Sequence, residues 1–414
     1  MTTKLTAITE RIPPERYSSR EVLEQELTHV FGRTWILACP LAYLKEPGDT
    51  YPITVGHEPV ALVRDNDGSI RAVSNICRHR GRQIVTHPRN TKSLKCWFHG
   101  FEWNYDGSVR QIPDREDFEC PDAELILPSI RCETWGNFAW INLDPNATSL
   151  REYLGEVAPL LEAYGLQDYQ LSQDTIVEWD CNWKIGCDAF QEGYHGPVTH
   201  PQLQAVLEDS PDLPIDLFEL HSRAVYQIGA PCKRIPEEER QQGNPMLQML
   251  AAMVGVDMEA YKGHIDDIRG AIQVGTRKQL DGRGLDTSAL TDDQMTDDHH
   301  FFIFPNLTIN MFANNFSTFR YMPHPSDPSK MYFWAQEFLR RGPDEDSLPV
   351  PETVHGKGTE FKFASEVYNQ DAGHMPWLQT GINSKHHPGM IFARQERRIP
   401  HFYNILDDYL SGCR

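Results

Sequence analysis

Asn75-Ile-Cys-Arg-His-Arg-Gly81 and Cys96-Trp-Phe-His-Gly100 decide how this chain is read, with sixteen residues between His79 and Cys96. Each stretch offers one thiol and one imidazole beside a glycine that permits a tight turn. Two such loops can close on a single metal centre. Zinc accepts cysteine and histidine together, so a structural zinc site is one reading, although Cys-x-His departs from the usual knuckle spacing. The other reading is a [2Fe-2S] cluster with two thiolates on one iron and two imidazoles on the other. Exchanging anionic thiolates for neutral imidazoles raises the cluster potential and suits an electron relay. His87 lies between the loops with nothing to recruit it and is read as a surface residue.

Around these loops, residues 45–143 alternate in short apolar runs separated by turn formers, and Asp67-Gly68 and Asp106-Gly107 signal hairpins. Upstream, residues 18–32 read as a helix capped by Ser18 or Ser19 and stopped by Gly32. Downstream, helical patterning at 150–165 and 184–200 mixes with strand-like text at 171–183, 301–304, 307–312, 316–322 and 331–335, then helix at 360–378 and 400–410. The chain is therefore expected to be α+β. Residues 1–44 form an N-terminal helical segment packing on the larger domain, 45–145 a small all-β domain, and 146–414 a domain with a central antiparallel sheet covered by helices. The Asp-rich stretch 281–298 is expected to be a surface loop or mobile lid.

The 414 residues carry 39 basic and 59 acidic side chains, a formal charge of -20. Such a surface repels nucleic acid and anionic lipid. No apolar run approaches the roughly 20 residues of a membrane span. The opening Met-Thr-Thr-Lys-Leu-Thr lacks an apolar core, so no secretory leader and a cytoplasmic location are expected. Nine cysteines, an odd number spread along the chain, argue against a disulfide framework.

A second constellation occupies Asn182-Trp-Lys-Ile-Gly-Cys-Asp-Ala-Phe-Gln-Glu-Gly-Tyr-His-Gly-Pro-Val-Thr-His200. His195 and His200 do not share a face of a straight helix, but Pro197 starts a turn that folds His200 back. Two imidazoles and a carboxylate make the triad that holds Fe(II) with open positions. Asp188 and Glu192 are the local acids, and ordinary helix-end histidines are the alternative. Glu192, three residues before His195, shares its face and could orient that ring.

Cys77-x-His79-x16-Cys96-x2-His99, with Trp103-x-Tyr105-x-Gly107 beyond it, resembles the Rieske domain of the aromatic-ring-hydroxylating oxygenases, catalytic alpha subunit. Asn-Trp-Lys followed by an acid, His195 and His200 resembles that family's mononuclear-iron motif. The resemblance implies a Rieske [2Fe-2S] domain with Cys77 and Cys96 on the inner iron and His79 and His99 on the outer one. It also implies a helix-grip-like catalytic domain with Fe(II) on His195, His200 and Asp371. Asp371 stands in Asn369-Gln-Asp-Ala-Gly-His-Met-Pro-Trp-Leu-Gln-Thr-Gly381; Glu360 and Glu366 are rivals and His374 a neighbour. Glu192 matches the acid that bridges to the neighbouring subunit's cluster, and Asp188-Ala189 replaces the Glu-Asn of many members, with Asp188 carried as a further catalytic residue.

By the same resemblance the protein is a terminal oxygenase that receives electrons from a reductase or ferredoxin. It uses O2 to hydroxylate, by cis-dihydroxylation, a hydrophobic aromatic substrate in aromatic hydrocarbon catabolism. The expected assembly is a homotrimer, as α3 or α3β3 with a small beta subunit. Monooxygenation with oxidative N- or O-demethylation is the alternative, since glutamate at the bridging place occurs in members that oxidise quaternary amines. An electron-transfer protein without an active iron site is the alternative of another class. Phe190, Phe301, Phe302, Phe304, Leu307, Ile309, Met311 and Phe312 are candidate walls of an apolar pocket, as are Leu247, Met249, Leu250 and Met253.

Overall fold

A computed structural model describes residues 11–414. The Met-Thr-Thr-Lys-Leu-Thr stretch read for a leader lies outside the described residues. No described helix is long and apolar enough to cross a membrane. The described residues form two compact units, one of Glu24–Tyr153 and one of residues 11–23 with Leu154–Arg414.

The first unit is built mainly of β-strands. Its strands are β1 (Ile36–Pro40), β2 (Asp49–Val55), β3 (Glu58–Arg64), β4 (Ile70–Ser74), β5 (Arg89–Asn90), β6 (Leu94–Lys95), β7 (Glu102–Trp103), β8 (Val109–Gln111), β9 (Ser129–Trp135) and β10 (Phe138–Asn142). They make a seven-stranded sheet, β1-β10-β9-β4-β3-β2-β5, and a three-stranded one, β6-β7-β8. Gly68 and Gly107, at φ +84° and +86°, turn the β3–β4 and β7–β8 hairpins, as their Asp-Gly pairs signal.

The division differs from the expected boundaries at 44 and 145. β1 is wholly buried and pairs antiparallel with β10, Ile36 opposite Ile141, so residues 24–44 cluster with the β unit. Only residues 11–23 group with the larger one. The expected first helix runs Arg20–Glu26 and continues as a π turn, Leu27–Phe31, with the Ser19 hydroxyl accepting from the Val22 N–H.

The second unit is built on β11 (Tyr169–Trp179), β12 (Ile215–Leu217), β13 (His221–Tyr226), β14 (Asp298–Ile303), β15 (Leu307–Met311), β16 (Asn315–Pro323), β17 (Met331–Arg340) and β18 (Val354–Lys357). They form one sheet in the order β12-β13-β14-β15-β16-β17-β11-β18, antiparallel throughout except for the parallel β11–β18 edge. Helix Trp183–Phe190 packs on β16 and β17, and helix Glu366–Ile382 packs on that helix. The region 205–300, hard to read in sequence, holds helices Pro245–Met253 and Ile268–Gly282, with Leu247, Ile265, Ile268 and Ile272 in a core of their own.

The stretch 281–298, expected to be a surface loop or mobile lid, lies mostly at the surface and is tied down at several points. Arg277 donates to the carbonyls of Thr287 and Leu290, and Leu285, Leu290 and Met295 are buried. Acidic composition marked it as surface, but its spaced apolar residues anchor it.

Candidate metal centres and cavity

The two Cys-His loops are built alike. Gly81 N–H donates to Cys77 O and Gly100 N–H to Cys96 O, both at 3.0 Å. Cys77 N–H donates to Arg82 O and Cys96 N–H to Phe101 O. Gly81 and Gly100 sit at φ +74° and +79°, a region costly for any residue with a Cβ. Asn75, fully buried, closes the first loop: its Oδ1 accepts from Ile84 and Val85 N–H and its Nδ2 donates to Val85 O. Trp103 anchors the second through its indole N–H to Leu125 O at 2.7 Å.

The thiols point inward and the imidazoles outward. Cys77 and Cys96 are buried beside each other, while His79 is half-buried and His99 exposed. Burial and the neighbouring Cys96 push the Cys77 thiol up. The His79 and His99 rings lie 4.6 Å apart, and His79 stacks on Phe101. His79 Nδ1 has no accessible surface and no hydrogen-bond partner. Two adjacent buried thiols, unbridged, and an orphaned ring nitrogen fit a cluster with inner thiolates and outer imidazoles. His87 is exposed.

In the second unit, Asn182 caps helix Trp183–Phe190 by accepting from the Lys184 N–H. The Asn182 N–H donates to Gln379 Oε1 at 2.7 Å, joining this helix to the one that carries Asp371. The chain then turns through Gly193, where a Cβ would lie 2.8 Å from the Tyr226 ring. Pro197 occupies the first turn of the short helix Gly196–Thr199, with His195 before it and His200 after it. The His195 and His200 rings come to 5.1 Å.

His195 Nε2, His200 Nε2 and Asp371 Oδ1 converge: the carboxylate oxygen is 3.6 Å from the first nitrogen and 2.9 Å from the second. His195 Nδ1 faces Glu192 Oε1 at 2.6 Å, and His200 Nδ1 faces Gln370 Oε1 at 2.7 Å. Both outer partners are oxygen acceptors, so with the proton on each Nδ1 each Nε2 presents a lone pair. Two lone pairs and a carboxylate oxygen aimed at one point fit a divalent metal ion. Burial disfavours charge on His195, but Glu192, by hydrogen bond and charge, and Asp371 raise its pKa above the ordinary value.

Gln370 gave no sequence signal beyond its place next to Asp371. Glu360, Glu366 and His374 are exposed. Asp188 is not brought to this cluster. Its Oδ2 accepts from the hydroxyls of Tyr17, at 2.8 Å, and Tyr403, at 3.1 Å, and burial pushes its carboxyl up to about 7.

The three donors open on a cavity of about 320 Å³. Phe190 and Phe312 line it, with Phe319, Tyr226, Leu207 and Ile228. Phe301, Leu307, Ile309 and Met311 do not: they are buried on the opposite face of the sheet. Phe302 and Phe304 pack against Phe402, Leu247 sits in its own core, and Met249 and Met253 are exposed.

Residues 162–412 match the family described as ring hydroxylating alpha subunit (catalytic domain), and residues 34–129 match the Rieske [2Fe-2S] domain. The protein belongs to the ring-hydroxylating alpha-subunit family of Rieske non-heme iron oxygenases. Benzene 1,2-dioxygenase subunit alpha of Pseudomonas putida is 26% identical over 381 residues, 88% of this chain and 77% of the relative. The carnitine monooxygenase oxygenase subunit of Escherichia coli (strain K12) is 31% identical over 196 residues, 46% of this chain and 52% of the relative. Among solved structures, a quaternary ammonium Rieske monooxygenase superposes with a TM-score of 0.71 at 18% identity, over 96% of this chain and 95% of that one. Naphthalene 1,2-dioxygenase from Rhodococcus sp. bound to indole gives 0.69 at 18% identity, over 97% and 94%. Both structures share the fold.

Proposed function

We propose that this chain is a terminal oxygenase that hydroxylates, by cis-dihydroxylation, an apolar aromatic substrate with O2 and electrons from a reductase or ferredoxin. The observation that supports this best is the convergence of His195, His200 and Asp371 on the wall of an apolar cavity. Iron(II) held there, when bound, supplies O2 activation and the oxidation of the substrate. The chain's own residues do the positioning. Glu192 and Gln370 hold the two imidazoles with Nε2 free, and the aromatic wall excludes water and orients a ring-sized substrate.

In this reading Cys77, Cys96, His79 and His99 hold the relay cluster. The assembly is a homotrimer, α3 or α3β3, in which Glu192 also reaches a cluster histidine of a neighbouring subunit. Glu192→Gln is then expected to keep both centres loaded and slow cluster reoxidation by at least about tenfold. Wild-type reoxidation would end the bridging role.

Oxidative demethylation is the second reading, favoured by Glu192 at the bridging place and by the similarity to carnitine monooxygenase. A single turnover of the reduced holoenzyme under ¹⁸O2 separates the two. Both labelled atoms in one aromatic product support dihydroxylation. One labelled atom, or a lost methyl group, overturns it in favour of the second reading.

A further inference from the structure

Four carboxylates line the cavity: Glu192, Asp209, Asp298 and Asp371. Three are spoken for. Glu192 accepts from His195, Asp371 faces the two histidines, and Asp209 pairs with Arg234 Nε at 2.6 Å and with Gln204 Nε2 at 3.0 Å. Asp298 is not. Its carboxylate makes no hydrogen bond, and its Oδ1 has neither accessible surface nor a partner. Among the described residues, no lysine or arginine lines the cavity.

The sheet face beneath the cavity is also polar along one line, of which His300, Asn310 and Ser317 line the cavity itself. His300, Asn310, Ser317 and Glu337 lie opposite one another across β14, β15, β16 and β17 and so share a face. Asn310 Nδ2 donates to Ser317 Oγ at 3.1 Å, and the Tyr368 hydroxyl donates to Glu337 Oε1 at 3.0 Å. The His300 Nδ1 is taken by Arg398 at 2.9 Å, and burial holds that ring neutral. This row satisfies itself. Asp298, which opens β14, is the polar group left over: it is half-buried on the cavity wall, its Oδ1 is covered without a hydrogen-bond partner, and such a group is costly unless a ligand supplies one.

We propose that Asp298 recognises a positively charged amino group on the substrate, whose apolar body fills the aromatic part of the cavity. The proposal rests on the reading of this cavity as the substrate site. A protonated amine is the matching chemistry because it brings both an N–H donor and the charge that the cavity lacks. An anionic substrate would find no lysine or arginine among the described residues of this wall, and a plain hydrocarbon would leave Asp298 unsatisfied. Burial pushes Asp298 up to about 8. Arg398 opposes that shift, Asp297 adds to it, and Tyr226, Tyr164 and Tyr368 are the other titratable groups facing it. Burial therefore favours the protonated carboxyl in the free protein, and a docking ammonium group favours its ionised form.

The test uses the holoenzyme and two matched pairs, N,N-dimethylbenzylamine with isobutylbenzene and N-methyl-1-naphthylmethylamine with 1-propylnaphthalene. Equilibrium dialysis reads their dissociation constants for the wild type and Asp298→Asn. The amines are expected to bind roughly tenfold tighter than their carbon isosteres, and Asp298→Asn to erase that preference without weakening the isosteres. Calorimetry of the wild type in two buffers of different ionisation enthalpy is expected to show about one proton released per amine bound at pH 7. Equal binding of amines and isosteres, no proton release, or a preference that survives in Asp298→Asn overturns the proposal alone. Binding of none of the four overturns the cavity reading with it.

Discussion

His200 and Asp371, 171 positions apart in the chain, bring Nε2 and Oδ1 to 2.9 Å, and the Oε1 of Gln370, next to Asp371, faces the other nitrogen of the same ring at 2.7 Å. One turn of helix thus supplies both a proposed ligand and the group that sets the tautomer of another.

Asp371→Ala is expected to lose the mononuclear iron while keeping the cluster absorbance, and Gln370→Leu to weaken iron binding by about 10- to 100-fold. Iron per chain, measured by mass spectrometry under a chelator titration, checks both. Full iron in Asp371→Ala would move the ligand elsewhere.

The cluster loops should fail separately from the iron site. Cys77→Ser is expected to abolish the Rieske absorbance and EPR signal. Gly81→Ala and Gly100→Ala place a Cβ at φ +74° and +79°, a strain of about 1 kcal/mol each, and should lower cluster retention on heating. An intact EPR signal in Cys77→Ser would refute the cluster assignment.

Asp188 gives a pH prediction. Burial raises its carboxyl from the ordinary 3.8 to about 7. Between these values the folded chain keeps a proton that the unfolded chain has lost, so this group makes stability fall as pH rises from about 4 to about 7, and no further above that. Asp188→Asn can still accept from Tyr17 and Tyr403 and should remove that slope, worth up to a few kcal/mol. Urea midpoints at pH 5 and pH 8 compare the two proteins. A variant with the wild-type slope, or one that loses iron, would contradict this placement of Asp188.

Asp188 and Glu192 looked alike in sequence, two acids just ahead of His195. The structure separates them by where the helix ends. Asp188 lies within helix Trp183–Phe190, turned to Tyr17 and Tyr403, whereas Glu192 follows that helix's end and folds onto His195. The apolar strands show the same limit. Alternation in 307–312 marks a strand but not which parity faces the cavity, so Phe312 lines it and Leu307, Ile309 and Met311 do not.

By itself the sequence determined what is written in short segments. The paired Cys-His loops, their glycines, the hairpin turns and the spacing of His195 and His200 around Pro197 each need only a few neighbouring residues. Tertiary structure decided what depends on contacts between distant segments. These are the approach of Asp371 and Gln370 to His200, the capture of β1 by the β unit, the choice of cavity face and the isolation of Asp298. A local pattern sets backbone conformation and side-chain parity. Only sheet register and helix docking decide which face meets what.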